Sequence, residues 1–324
     1  MLLLTMKKQK LIIGVFGLLV SFNSYAQPVP PWQGKKCAVV LTYDDAIDQQ
    51  LDNAVPVLDS LGLKATFYIT AYSSSIQTRM KDWRQLAENG HELGNHTLFH
   101  PCDGGPDRPW IKPEYDLRNY TVQRMVDETR MTNIFLHSLD GKTRRTFAFT
   151  CGDMKIGDSS FILPMKKDFV AARAVRNEMH KIGDVDLYNM DCYVVNGESG
   201  VQLIGWAKKA METNSLLVIL FHGVGGGNSL NVTPSAHREF LRFLKENEKD
   251  IMITTLISVS DYIRSWQAGS AGSGGRAEWR SMKMSEQDSF AGQRVQIPSP
   301  DFSAIRTQVG IAQIVRYIQQ NVRP

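Results

Sequence analysis

The chain has 324 residues, 43% hydrophobic and 22% charged, which is enough apolar material to bury one large core or two modest ones. Its formal charge of +4 belongs to its ends: residues 1–26 carry three lysines and no acid, residues 267–324 carry seven basic and four acidic groups, and residues 27–266 carry 27 basic and 29 acidic. A main region at −2 offers no electrostatic footprint for nucleic acid and no reason to expect a polyanionic partner.

Lys7, Lys8 and Lys10 precede the apolar run Leu11 to Val20 and then Ser24-Tyr25-Ala26, with small residues where a signal peptidase reads. That run is shorter than the roughly 20 residues of a membrane-spanning helix, so residues 1–26 read as a cleaved secretory signal, with no integral membrane segment after it. Met6 would serve as a start equally well. The expected destination is periplasmic or extracellular. There Cys37, Cys102, Cys151 and Cys192 can pair in any of three ways. No C-x-x-C pair marks a zinc knuckle or a thioredoxin-type site.

Short β-rich runs then alternate with helical patterns. The predicted strands are Cys37 to Tyr43, Lys64 to Thr70, His91 to Asn95, Arg145 to Phe149, Phe169 to Arg173, Ser215 to Phe221 and Ile251 to Thr254. The predicted helices are Ile47 to Leu61, Arg79 to Asn89, Glu114 to Ser138, Gln202 to Thr213 and Pro234 to Lys245. This alternation predicts an α/β fold with a parallel sheet or barrel. Reactive groups in a barrel gather at the carboxyl ends of the strands, where Asp44, Asp45, His96 and His222 all fall. Residues 27–266 form the predicted domain. From Gln267 a Gly/Ser-rich linker leads to a tail ending at Pro324, with one helix-like segment, Ala304 to Gln320, and no assigned function.

Three elements carry chemistry. Asp44-Asp45 ends an apolar strand, and two adjacent carboxylates coexist when a cation or a shared proton separates their roles; taken alone, one of them could simply cap the next helix. His96 and His100 stand four residues apart, a spacing that joins two imidazoles on a helical turn and, with a carboxylate, leaves open positions on a metal. His222 ends the otherwise apolar run Leu216 to Phe221, and an ordinary core histidine would look the same. Gly223 to Gly227 lacks the Lys-Ser/Thr ending of a phosphate loop and reads as a mobile or tight loop beside the site.

In order and spacing, Tyr43-Asp44-Asp45, His96-Thr-Leu-Phe-His100-Pro101 and Leu220-Phe-His222 resemble signatures of the polysaccharide deacetylases with NodB homology, carbohydrate esterase family four. The likeness runs from about Lys36 to Trp266. It implies the family's distorted, incomplete (β/α) barrel, with Asp45, His96 and His100 as ligands of one divalent ion, zinc or cobalt. It makes Asp44 the general base, His222 the acid that protonates the leaving group, and the Cys151 backbone N–H a donor to the oxyanion.

The family's Arg-x-Pro-Tyr/Phe-Gly motif is replaced here by Ala148-Phe-Thr-Cys151-Gly-Asp153, without its Arg, Pro or aromatic residue. Some family members draw the arginine from a later strand, and Phe169-Val-Ala-Ala-Arg173 resembles that arrangement, which predicts that Arg173 pairs with Asp44. Trp110, in the inserted stretch Pro101 to Pro113, is a candidate sugar-stacking platform or a packing residue. The expected partner is an acetylated polysaccharide or oligosaccharide, with a lean towards acetyl ester hydrolysis of the acetylxylan type. N-deacetylation of chitin or peptidoglycan N-acetylglucosamine is the alternative within the family. Outside it stand a non-catalytic carbohydrate-binding protein on the same fold and a small-molecule amide hydrolase.

Overall fold

The structure, a computed structural model, describes residues 30–271. The predicted signal peptide and the tail segment Ala304 to Gln320 lie outside the described residues. The strands are β1 Cys37–Tyr43, β2 Thr66–Ile69, β3 Glu92–Asn95, β4 Thr146–Ala148, β5 Lys155–Ile156, β6 Ser159–Ser160, β7 Ala171–Arg173, β8 His180–Lys181, β9 Tyr193–Val194, β10 Ser215–Phe221, β11 Gly223–Val224, β12 Asn231–Val232 and β13 Ile251–Thr254. The helices are α1 Val55–Leu61, α2 Ser74–Glu88, α3 Val122–Asp140, α4 Gly200–Thr213, α5 Pro234–Glu246 and α6 Leu256–Ala271.

The main sheet runs β7-β4-β3-β2-β1-β10, all parallel, with β13 beside β1, β9 parallel to β10 and β8 antiparallel to it. It curls into a barrel that regular strands leave open between β7 and β10. The segment 187–195, irregular apart from β9, spans that gap: Ala172 N donates to Leu187 O and Ala174 N to Met190 O on one side, and Val195 N donates to Leu220 O on the other, at 2.8, 2.8 and 2.9 Å. The expected incomplete (β/α) barrel is the observed fold.

Helix boundaries differ from the periodicity where a cap decides them. Ser73 accepts from Ile76 N, so α2 starts before Arg79; Thr121 accepts from Arg124 N, so α3 starts only at Val122. The chain is helical from Asp48 to Leu61, close to the expected Ile47 to Leu61, but a π-helical turn, Gln50–Ala54, interrupts the regular winding before α1. Helix α6 passes the expected domain end at Trp266 and continues to Ala271. Gln267 belongs to the packed domain rather than to a linker, because its Nε2 donates to Ile182 O and Val185 O at 3.0 and 2.9 Å.

Strand parity organises the core. Because successive strand side chains face opposite sides, Cys37, Val39, Leu41 and Tyr43 of β1 pack outward with Leu217, Ile219 and Phe221 of β10 under the helices, whereas Ala38 and Val40 face inward with Leu216, Val218 and Leu220. Leu256, Val259 and Ile263 of α6 join the inner cluster and close the barrel floor. There the buried Glu92 carboxylate accepts from Thr66 Oγ1, Thr146 Oγ1 and the Ile257 N–H in the first turn of α6.

Cys102 and Cys151 form a disulfide across a sequence separation of 49, while Cys37 and Cys192 remain free and buried. Replacing both bridging cysteines with serine should lower unfolding free energy by roughly 2–4 kcal/mol, since the bridge limits the unfolded chain. Urea denaturation checks this, and a loss below about 0.5 kcal/mol would contradict it.

Two buried histidines give stability a pH dependence. Burial pushes His237, whose Nε2 is 2.7 Å from Tyr43 Oη, down to about 3. Burial also lowers His91, against the opposing pull of Asp59. Each favours its neutral form more in the fold than in the unfolded chain, which protonates below pH ~6.5, so their contribution is complete above that pH and is lost as pH falls. For His237 the loss approaches roughly 1.4 kcal/mol per pH unit. Denaturation between pH 7 and 5 should show it, and His237→Gln should flatten the slope; an unaltered slope would refute the assignment to His237.

Candidate active site

The same parity sets the site. Asp44 continues the inward phase of Ala38, Val40 and Thr42, and His222 continues that of Leu216, Val218 and Leu220, while Ala171 and Arg173 of β7 share one face. All of these stand at strand carboxyl ends. Thr42 pairs with Leu220 and Tyr43 with Phe221, and Asp44 N donates to Phe221 O at 3.0 Å, which sets Asp44 beside His222.

Parity alone would turn Asp45 outward. Instead Asp45 and Ala46 adopt left-handed backbone, φ 81° and 55°, and the chain swings Asp45 in beside Asp44. His96 and His100 do not lie on a helical turn, contrary to the expectation from their spacing. Thr97 and His100 have φ 66° and 57°, and an irregular bend held by Asn95 Oδ1 accepting from Thr97 N and Thr97 Oγ1 accepting from His100 N brings the rings to 4.8 Å. Of eight non-glycine residues with positive φ among the described residues, five are Asp45, Ala46, Thr97, His100 and Cys151. Such strained backbone concentrated in one place points to a functional site.

Asp45 Oδ1 lies 3.5 Å from His96 Nε2 and 3.3 Å from His100 Nε2. Two ligand atoms each about 2.0–2.1 Å from a tetrahedral ion would stand ~3.3 Å apart, so the three donors have a metal-sized separation. Asp45 Oδ1 is buried without a hydrogen-bond partner, as a ligand atom would be. His96 donates Nδ1–H to Ala148 O at 2.9 Å, leaving its Nε2 lone pair towards Asp45. Burial pushes the Asp45 carboxyl up, but His100 and His96 outweigh it and hold the pKa well below the usual range. These residues fit a divalent ion.

Asp44 is buried, ion-paired with Arg173 Nη2, and its Oδ1 is free of partners. Arg173 is fully enclosed; its other amino group donates to Ala174 O at 3.1 Å and Cys192 Sγ at 3.4 Å. The predicted pairing of Arg173 with Asp44 is thus present. His222 is mostly buried, burial lowers its pKa, and its Nδ1 has no partner. Cys151 occupies a tight turn with φ 54°, and its N–H takes no part in the turn's hydrogen bonds, Gly152 N to Phe149 O and Asp153 N to Thr150 O.

The segment 101–113 is fastened to that turn. Besides the disulfide, Arg108 donates to Asp153 Oδ2 at 2.5 Å and to Cys151 O at 3.4 Å, Asp103 N donates to Asp153 Oδ2 at 2.8 Å, and Thr150 Oγ1 donates to Pro101 O. Trp110 stands on this segment, 67% exposed. Sequence reasoning passed over Arg108 and Asp153, whose partners are distant in sequence, and Asn228, whose Nδ2 donates to Asp45 Oδ2 at 3.0 Å. The one available signal for Asn228 was the glycine run before it: Gly225, Gly226 and Gly227 have φ of 77°, 120° and 87° and form a tight loop that L-residues would resist.

Residues 33–158 match the family model for polysaccharide deacetylases, a span that includes Asp44, Asp45, His96, His100 and Cys151. No curated protein matches the chain by sequence. Among solved structures, a candidate polysaccharide deacetylase from Mycobacterium smegmatis superposes with a TM-score of 0.55 at 14% identity, covering 74% of this chain and 94% of that one, a likeness of fold. The peptidoglycan deacetylase PdaC from Bacillus subtilis matches at TM-score 0.44 and 14% identity, over 74% of this chain and 96% of its own. Residues 33–158 are thus similar to the polysaccharide deacetylase family in sequence, and the fold around them is like that of the Mycobacterium smegmatis protein.

Proposed function

We propose that the protein is an exported, metal-dependent deacetylase that removes acetyl groups from a polysaccharide. The observation that carries this reading is the convergence of Asp45, His96 and His100 at 3.3–3.5 Å beside an Asp44 that is ion-paired with a buried arginine. Export rests on the amino-terminal pattern and on the disulfide, which an oxidising compartment favours.

In this proposal Asp45, His96 and His100 hold zinc or cobalt. A divalent ion there would polarise the acetyl carbonyl and acidify water. Asp44 accepts the proton of the attacking water, with Arg173 fixing the carboxylate so that its unpartnered Oδ1 faces the reaction. The Cys151 N–H meets the developing oxyanion, and His222 protonates the leaving oxygen or nitrogen. Trp110 offers a sugar-stacking face at the rim. We favour an acetyl ester of the acetylxylan type, because the replaced third motif alters the wall beside the acetyl group and the main domain is near neutral; an N-acetylglucosamine amide is the other substrate.

The mature protein should release acetate from one of acetylated xylan, chitin oligomers or peptidoglycan, lose that activity on chelation, and regain it with zinc or cobalt. Release from xylan identifies the ester, release from the others the amide. A folded, metal-loaded protein that releases none would reject the deacetylase reading in favour of a carbohydrate-binding or small-molecule role.

Arg173→Lys keeps the charge but not the planar fork, so kcat should fall about 10- to 100-fold with the fold retained. Arg173→Ala should also destabilise by roughly 3–5 kcal/mol, since it strands a buried carboxylate. Near-normal turnover in either folded variant would remove Arg173 from the mechanism.

A further inference from the structure

Gln50 is fully buried, and none of the roles above employs it. It opens the π-helical turn Gln50–Ala54 between the carboxyl ends of β1 and β10. Its Nε2 donates to the carbonyl oxygen of Asp44 at 2.5 Å and to that of His222 at 3.1 Å. Both neighbours are acceptors only, which settles the amide orientation: reversed, Oε1 would face two carbonyl oxygens.

The two bonds fall where regular pairing stops. The β1–β10 ladder ends at Tyr43 and Phe221; Asp44 N still reaches Phe221 O, and then Asp45 turns away in left-handed backbone while Gly223 pairs with Asn231. One side-chain amide ties together the two backbones that the ladder has released. The neighbouring Asn53, in the same turn, reinforces the tie by donating to Val224 O at 2.7 Å. Single π-turns are rare and frequently found at functional sites.

We infer that Gln50 is a positioning residue that sets the separation between the proton acceptor Asp44 and the proton donor His222. This rests on the deacetylase reading. Both side chains must address one acetyl group, and a misplacement of about 1 Å can cost on the order of 100-fold in rate. Gln50 bonds the carbonyl of the Asp44–Asp45 peptide and that of His222, not the Asp45, His96 or His100 side chains, so its effect should fall on turnover more than on metal binding.

The test compares the mature wild-type protein with Gln50→Leu and the near-isosteric Gln50→Glu, measuring kcat, KM and zinc Kd by chelator competition. We expect kcat to fall about 10- to 100-fold in both, with KM and zinc Kd within about threefold of wild type. A folded variant with wild-type kcat overturns the inference, as does one whose loss of activity tracks a loss of zinc. Absence of acetate release from metal-loaded wild type overturns the deacetylase reading and this inference with it, whereas an active wild type with an equally active variant overturns this inference alone. If neither variant folds, the Gln50 side-chain amide protons of the wild type decide by NMR: protection of both from exchange supports the tie, and rapid exchange of both refutes it.

Discussion

The ion pair between Arg173 and Asp44 is the constraint on which the arrangement of this molecule depends. Its two partners come from β7 and β1, which β4, β3 and β2 separate in the sheet, so they meet only because the sheet curls. Burying two charges costs several kcal/mol for each, and the cost is tolerable only where their other hydrogen-bonding needs are met. The guanidinium meets most of them through Asp44, Ala174 O and Cys192 Sγ, with its Nε left unpartnered, and it also lies 5.2 Å above the Tyr68 ring. Burial opposes its charge, Asp44 offsets that opposition, and the net pKa is raised. The ring in turn lies against Gly94, where a Cβ would come within 2.5 Å of it, so one small residue of β3 makes room for the whole stack.

Around this pair the barrel has two unlike ends. At the floor, α6 places its first turn on Glu92, and the inner cluster fills the space between with aliphatic side chains. At the mouth, the polar groups Asp44, Asp45, His96 and His222 face one another with unpartnered atoms on Asp44, Asp45 and His222. Unsatisfied buried atoms are costly in a protein built only for stability, and here they share one place with five residues of left-handed backbone at roughly 1–3 kcal/mol each. A site organised to receive a cation, a water and a carbonyl would leave those atoms open.

The turn at Cys151 is tied to the segment after His100 by a disulfide, the Arg108–Asp153 ion pair and a hydrogen bond from Thr150. One consequence is mechanical: the backbone that carries Cys151 and the backbone that carries His100 are held by one cross-link.

Much of this was legible in the residues themselves. The apolar runs of β1, β10 and β13 were bounded correctly because a strand covered on both faces must be continuously hydrophobic, and Asp44, His96 and His222 followed as the first polar residues beyond strand ends. The carboxylate–imidazole grouping and the link from Arg173 to Asp44 were also foreseeable, the second through resemblance alone. The bend that joins His96 to His100 was not, since a four-residue spacing fits a helical turn and a left-handed loop equally well. Nor were the partners of Gln50, Asn228 and Arg108, or which two of four cysteines pair. Local propensity and period act over a few residues, so sequence could determine which strands form and which polar groups end them. The curl of the sheet decides which of those ends share a space, and it depends on the packing of all the strands at once.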